Sequence, residues 1–155
     1  MSPTDLALWL DQTPPSVALK DSALLIPLIQ SVHILAVALV VSSVVLLTLR
    51  AWDLGGRGWP LERWSTPLLA RVGWAVGLLA VTGALLILAE PTRELPNRAF
   101  QAKIILLLPT LALVFWLRSR LGGRRGAPAT ARLGTAAFLG LAIALVGLGR
   151  WIAYA

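Results

Sequence analysis

The sequence predicts an all-α protein, an antiparallel bundle of four transmembrane helices with a short N-terminal amphipathic helix lying at the interface. Three observations carry this prediction. Of 155 residues, 57% are hydrophobic and 14% charged, with a mean hydropathy of +0.79, too apolar for a soluble domain with a polar surface. Four apolar runs, about 22–49, 66–89, 101–117 and 131–154, have the lengths that cross a hydrocarbon layer, for which roughly 17–25 residues suffice. The runs are continuous rather than alternating, which excludes a β-barrel. Residues 1–155 therefore read as a single integral membrane domain.

Each element has its own justification. Pro3 and Thr4 make a helix start, and Leu6, Trp9 and Leu10 share a face, giving an amphipathic helix over about 3–11. No basic opening or small-residue cleavage site marks a signal peptide, so this helix is expected to stay and to lie in the interface with Trp9 at headgroup level. Its rival role is a lid over the mouth of the bundle. Pro14 and Pro15 break it before span one, where Pro27 falls in the opening turns and is tolerated. Gln30 and His33 are three apart and face the same way. At about 1.5 Å per residue, His33 lies roughly 15 Å into the span, near mid-membrane.

Span two carries Gly73xxxGly77 and Ala80xxxAla84, spacings that let helix backbones approach closely. Span three, the shortest, has Lys103 near its start and Pro109 in its middle, where a kink is expected. The following loop, RSRLGGRRGAPATAR, is the most basic and is expected to be mobile. In span four Ala136, Gly140 and Ala144 form a small-residue stripe, expected to pack against Gly73 and Gly77. Trp151 and Tyr154 would anchor its end.

The net charge of +7 does not indicate a nucleic-acid partner, because the basic residues mark connections and span ends. One side has Arg50, Arg57, Arg63 and Arg71 with Arg118, Arg120, Arg124, Arg125 and Arg132. The other has Lys20, Arg93, Arg98, Lys103 and Arg150, and most of the acids. The positive-inside rule then makes the two Arg-rich loops cytoplasmic and puts both termini and Glu90 to Lys103 outside. The cytoplasmic arginines read as topology signals and lipid contacts.

The polar segment EPTRELPNRAFQAK, between two nearly pure apolar runs, is the candidate rim of a site. Polar groups in a bilayer are costly and tend to face the bundle interior. The expected outward-opening pocket is lined by Gln30, His33, Glu90, Arg93, Asn97, Lys103 and Arg150. His33, the only histidine, could be a ligand or proton carrier, or a neutral imidazole bonded to Gln30 or a carbonyl. Lys103 and Arg150 could hold an anion such as a carboxylate, a propionate or a lipid phosphate, or could snorkel to the interface. No residue pattern marks a nucleophile with its base, and GGRG and GGRRG lack the features of a P-loop. Cysteine is absent and Met occurs only at position 1. Thiolate and interior thioether ligands are thereby excluded, and no metal site is indicated beyond His33. One histidine cannot supply both axial ligands of a haem, which leaves a five-coordinate haem, or one shared across a dimer, open.

A span-one His followed by a terminal LR, TGALLILAE in span two, ELPNRAFQAK leading into span three and GRWIAY at the end resemble a bacterial family of small four-span inner-membrane proteins without an assigned activity. The resemblance covers nearly the whole chain, and Asn97, Phe100 and Lys103 (NxxFxxK) are its most specific part. More distantly, the span-one His with a Lys opening span three resembles the membrane domains of copper-resistance D proteins and of HemJ-type protoporphyrinogen oxidases. That likeness implies copper handling or haem-linked redox chemistry, with His33 as ligand and Lys103 as the span-three base. The leading expectation is a redox or haem-associated inner-membrane protein. The alternatives are a non-catalytic subunit or scaffold, self-assembling or docking a periplasmic or membrane partner, and, third, a small transporter or channel subunit.

Overall fold

A computed structural model describes residues 2–54, 61–121 and 127–152. The mobility expected of the second Arg-rich loop falls largely on 122–126, and the anchoring role of Tyr154 on 153–155, both outside the described residues. The described chain is almost entirely helical, with seven helices.

Helix α1 (Pro3–Asp11) starts with a capping box. The Asp5 amide donates to Ser2 Oγ at 3.1 Å, and the Ser2 amide donates to Asp5 Oδ2 at 2.8 Å. Hydrogen bonding from Ser2, its backbone amide first and its hydroxyl second, holds the Asp5 carboxyl below the usual carboxylate range. Pro14 and Pro15 do end α1, but they also open a second short helix, α2 (Pro14–Lys20). In a first turn the amide that proline lacks has no helical partner to lose. Lys20 and Asp11 form an ion pair that ties the two short helices together. α1 packs on the connection after the second span through buried Ala7, while Leu8 and Trp9 stay exposed. The face presented to the bundle is thus the Ala7 side, and Trp9 lies on the exposed side.

The four long helices are α3 (Leu25–Ala51), α4 (Leu61–Ala89), α6 (Arg98–Leu121) and α7 (Ala129–Ile152), with α5 (Pro91–Glu94) a single turn between α4 and α6. All four are long and apolar enough to cross a membrane. Large apolar side chains in mid-span, such as Leu35, Trp74, Phe115 and Ile143, are mostly exposed. Such an apolar surface suits lipid rather than water. Together these features define a multi-pass membrane protein. α4 begins five residues earlier than the apolar run, because Leu61, Ser65 and Leu68 are buried in the bundle. α6 continues through Pro109 to Leu121 as one helix.

Going round the bundle the order is α4, α3, α7, α6, with the α4–α6 seam the thinnest. α4 and α7 therefore face each other across the diagonal. The expected packing of Gly73 and Gly77 against Ala136, Gly140 and Ala144 is not formed. A methyl group at Gly77 or Gly140 would meet nothing within 4 Å, and Ala136 and Ala144 are exposed. The close approach falls elsewhere: at Gly134 a Cβ would lie 2.5 Å from Trp116 Cζ3 and 3.2 Å from Leu117 Cδ2. Here α7 lies against α6 because residue 134 has no side chain.

The two halves of the bundle are packed differently. At the Arg-rich end Val44, Leu47, Leu61, Leu68, Leu69, Val72, Leu117, Leu121 and Phe138 form the core. The same end is tied by polar contacts. Asp53, at φ 57°, accepts from Arg50 at 2.8 Å and from Arg132 at 3.0 Å. Trp52 Nε1 donates to the Arg132 carbonyl at 3.0 Å, and the Thr48 hydroxyl is shared between the Val44 carbonyl of its own helix at 2.8 Å and the Thr135 carbonyl at 3.2 Å. Arg50 and Arg132 thus join α3 to α7 as well as marking the end of a span. Towards the α5 end the buried residues are mostly small: Ala36, Ala75, Thr82, Ala89 and Ala142. Small side chains leave that half the room for polar groups.

Candidate functional site

His33 enters the α5-end half from α3, half-buried, with Nδ1 2.8 Å from Thr82 Oγ1 on α4. Thr82 Oγ1 also lies 2.8 Å from the Leu78 carbonyl one turn back. A hydroxyl carries one proton, and a carbonyl can only accept. If Thr82 donated to His33, its oxygen would face the Leu78 oxygen at contact distance with no proton between them. The proton therefore goes to Leu78, and His33 Nδ1–H donates to Thr82. In the neutral ring this leaves Nε2 as the nitrogen with a lone pair. Among the described residues Nε2 makes no hydrogen bond. Gly83, the next residue on α4, lies against the ring, and a Cβ there would sit 3.6 Å from His33 Cε1.

Lys103 reaches the same half from α6. Its Nζ lies 3.6 Å from where a Cβ at Gly149 of α7 would be, an ordinary contact distance, so the ammonium lies against α7 there. Among the described residues Lys103 makes no hydrogen bond and no ion pair within 4 Å. Its charge acts on His33 and is itself acted on by Glu94. Glu94 closes α5 and is half-buried. Burial pushes its carboxyl above the ordinary glutamate range, with Glu90 adding to this, against the opposing pull of Lys103 and Arg93. Among the described residues the arrangement is an imidazole whose Nε2 makes no hydrogen bond, a lysine with no ion pair within 4 Å, and a carboxyl group at the rim.

The other expected site residues are used differently. Gln30 is exposed and does not bond His33, whose partner is Thr82. Glu90 pairs with Arg93 at 2.9 Å, and Arg93 Nη2 also donates to the Ile152 carbonyl at 3.4 Å, holding α5 to the end of α7. Asn97 caps α6: its Oδ1 accepts from the Ala99 amide at 2.8 Å. Arg150, next to Gly149, is exposed. Of the seven, His33 and Lys103 lie in the same half of the bundle, His33 against Thr82 and Gly83, Lys103 against Gly149 and within the electrostatic reach of Glu94. Among the described residues no group of three or more His, Asp or Glu side chains could hold a metal ion.

Comparison with models of protein families, with curated proteins and with solved structures gives no match. The resemblance described above accordingly rests on its motifs alone.

Proposed function

We propose that this multi-pass protein resides in a bacterial inner membrane and serves a redox or haem-linked role through the His33–Lys103 site. The observation that carries this reading is the 2.8 Å contact between His33 Nδ1 and Thr82 Oγ1, from which the Nδ1–H tautomer is argued. A histidine that ligates a metal donates its other ring N–H to a protein acceptor, which fixes the ring and raises the basicity of the ligating nitrogen. Thr82 supplies that acceptor. The same state also suits a proton acceptor at Nε2.

The donor set fits a haem. Nε2 of His33 would face the iron and Lys103 would hold a propionate. When bound, haem supplies one-electron chemistry set by its axial ligand and surroundings. This chain's part is to orient Nε2 through Thr82, bind the carboxylate through Lys103, and keep Glu94 at the rim. With one His in the sequence, this chain would supply a single histidine ligand to the group.

Protein purified in mild detergent should show a Soret band with iron in proportion, and His33→Ala should lose most of both. A colourless, metal-free wild type, or an unchanged spectrum in the variant, overturns the haem assignment. The sidedness is checked separately. A cysteine replacing Thr92 should react with an impermeant maleimide added outside, and one replacing Ser119 should not.

A further inference from the structure

Away from this site, the thin α4–α6 seam opens as a groove of about 350 Å³ in the Arg-rich half, lined by Gly73, Trp74, Leu111, Val114, Phe115 and Arg118. This is at the small end of the roughly 300–1,000 Å³ typical of ligand clefts. Its walls are apolar, and Trp74 and Phe115 are 84% and 68% exposed, so the groove opens sideways where a bilayer's acyl chains would lie.

Arg118 stands over it. Side chains on a helix lean toward its N-terminus. On α6 that direction runs into the membrane rather than out to the interface, and Arg118 Nη1 comes to 3.5 Å from the position of a Cβ on Gly73. Among the described residues Arg118 makes no hydrogen bond and no ion pair. Its neighbour Arg120 is used otherwise, its guanidinium 5.6 Å from the centre of the Trp116 ring. Arg118 is exposed, and a guanidinium bordering an apolar groove is costly in a bilayer unless an anion meets it.

We infer that this groove binds one anionic phospholipid, with an acyl chain between α4 and α6 and the phosphate on Arg118. Gly73 gives the chain and the guanidinium access to the helix backbone. Basic side chains at the membrane surface discriminate between anionic and zwitterionic lipids through this charge.

The test is native mass spectrometry of the protein reconstituted with equal phosphatidylglycerol and phosphatidylethanolamine. Wild type should retain one phosphatidylglycerol with a preference of about fivefold over phosphatidylethanolamine. Arg118→Gln should abolish the preference, and Arg120→Gln should keep it. Gly73→Leu, which fills the groove and leaves the charge, should lose the retained lipid of either kind. Equal losses in Arg118→Gln and Arg120→Gln would reduce the effect to surface charge and overturn the site. Displacement of the lipid by inorganic phosphate alone would make it a free-anion site, and a lipid-free dimer would put a second copy in the groove. Either result also overturns the inference.

Discussion

Replacing Thr82 with Val tests the chemistry of His33 at its source. Valine keeps the shape of threonine and removes the oxygen that accepts from His33 Nδ1 at 2.8 Å. The half-buried Nδ1–H then has no acceptor, a loss of about 1 kcal/mol for a neutral hydrogen bond. That energy is also what favours the Nδ1–H tautomer, so the tautomer ratio should shift about fivefold toward Nε2–H, the form neutral histidine prefers in water. Because His33 is the only histidine, labelling with ¹⁵N-histidine reports this one ring without assignment. In wild-type protein above the histidine titration, Nδ1 should show the shift of a protonated nitrogen and Nε2 that of an unprotonated one. In Thr82→Val the two should approach or exchange. An Nε2–H ring in wild type, unchanged by the substitution, would mean that Thr82 donates to His33 and would refute the proton assignment.

Three further outcomes are expected. Gly134→Ala should destabilise the protein by about 1–3 kcal/mol, because the Trp116 ring 2.5 Å away must move, whereas Gly140→Ala should cost nothing measurable; thermal unfolding in detergent compares them. Asp53→Asn keeps a residue that tolerates positive φ and removes only the charge shared by Arg50 and Arg132. The loss should be about 1 kcal/mol, modest because the Asp53 side chain is 49% exposed, and it should shrink with added salt. For Glu94, burial raises the folded-state pKa, so the folded protein holds its proton more tightly than the unfolded chain. Stability should therefore fall as pH rises from the ordinary glutamate value through the folded pKa, and Glu94→Gln should flatten that part of the pH profile.

The span lengths were readable from the sequence because bilayer thickness imposes a run length, and α3, α4, α6 and α7 contain the four runs with ends moved by a few residues. Neighbour order was not readable. Small-residue stripes state that a helix can be approached closely but not by which partner: Gly73 and Gly140 lie on helices across the diagonal, while the close contact at Gly134 carries no stripe. The site was half legible. His33 and Lys103 stood out as charged or titratable groups in apolar runs, where burial makes such groups conspicuous. Thr82 did not, because threonine in a span commonly bonds its own helix, and it does so here as well as meeting His33. Glu90 and Glu94 lie one turn apart, and only the turn of α5 decides that Glu90 pairs with Arg93 while Glu94 acts on Lys103. Asn97 reads in sequence as a site residue because a helix cap, its role here, and a ligand contact draw on the same short polar side chains.

The most direct test of the ligand site is a haem titration of ligand-free protein in nanodiscs, comparing wild type, His33→Ala and Lys103→Gln. The expected result is saturable binding to wild type, a changed iron coordination spectrum only in His33→Ala, and affinity weaker by about tenfold or more in Lys103→Gln, from loss of one charge-assisted contact. Equal affinity and identical spectra in all three proteins would contradict a site built from His33 and Lys103.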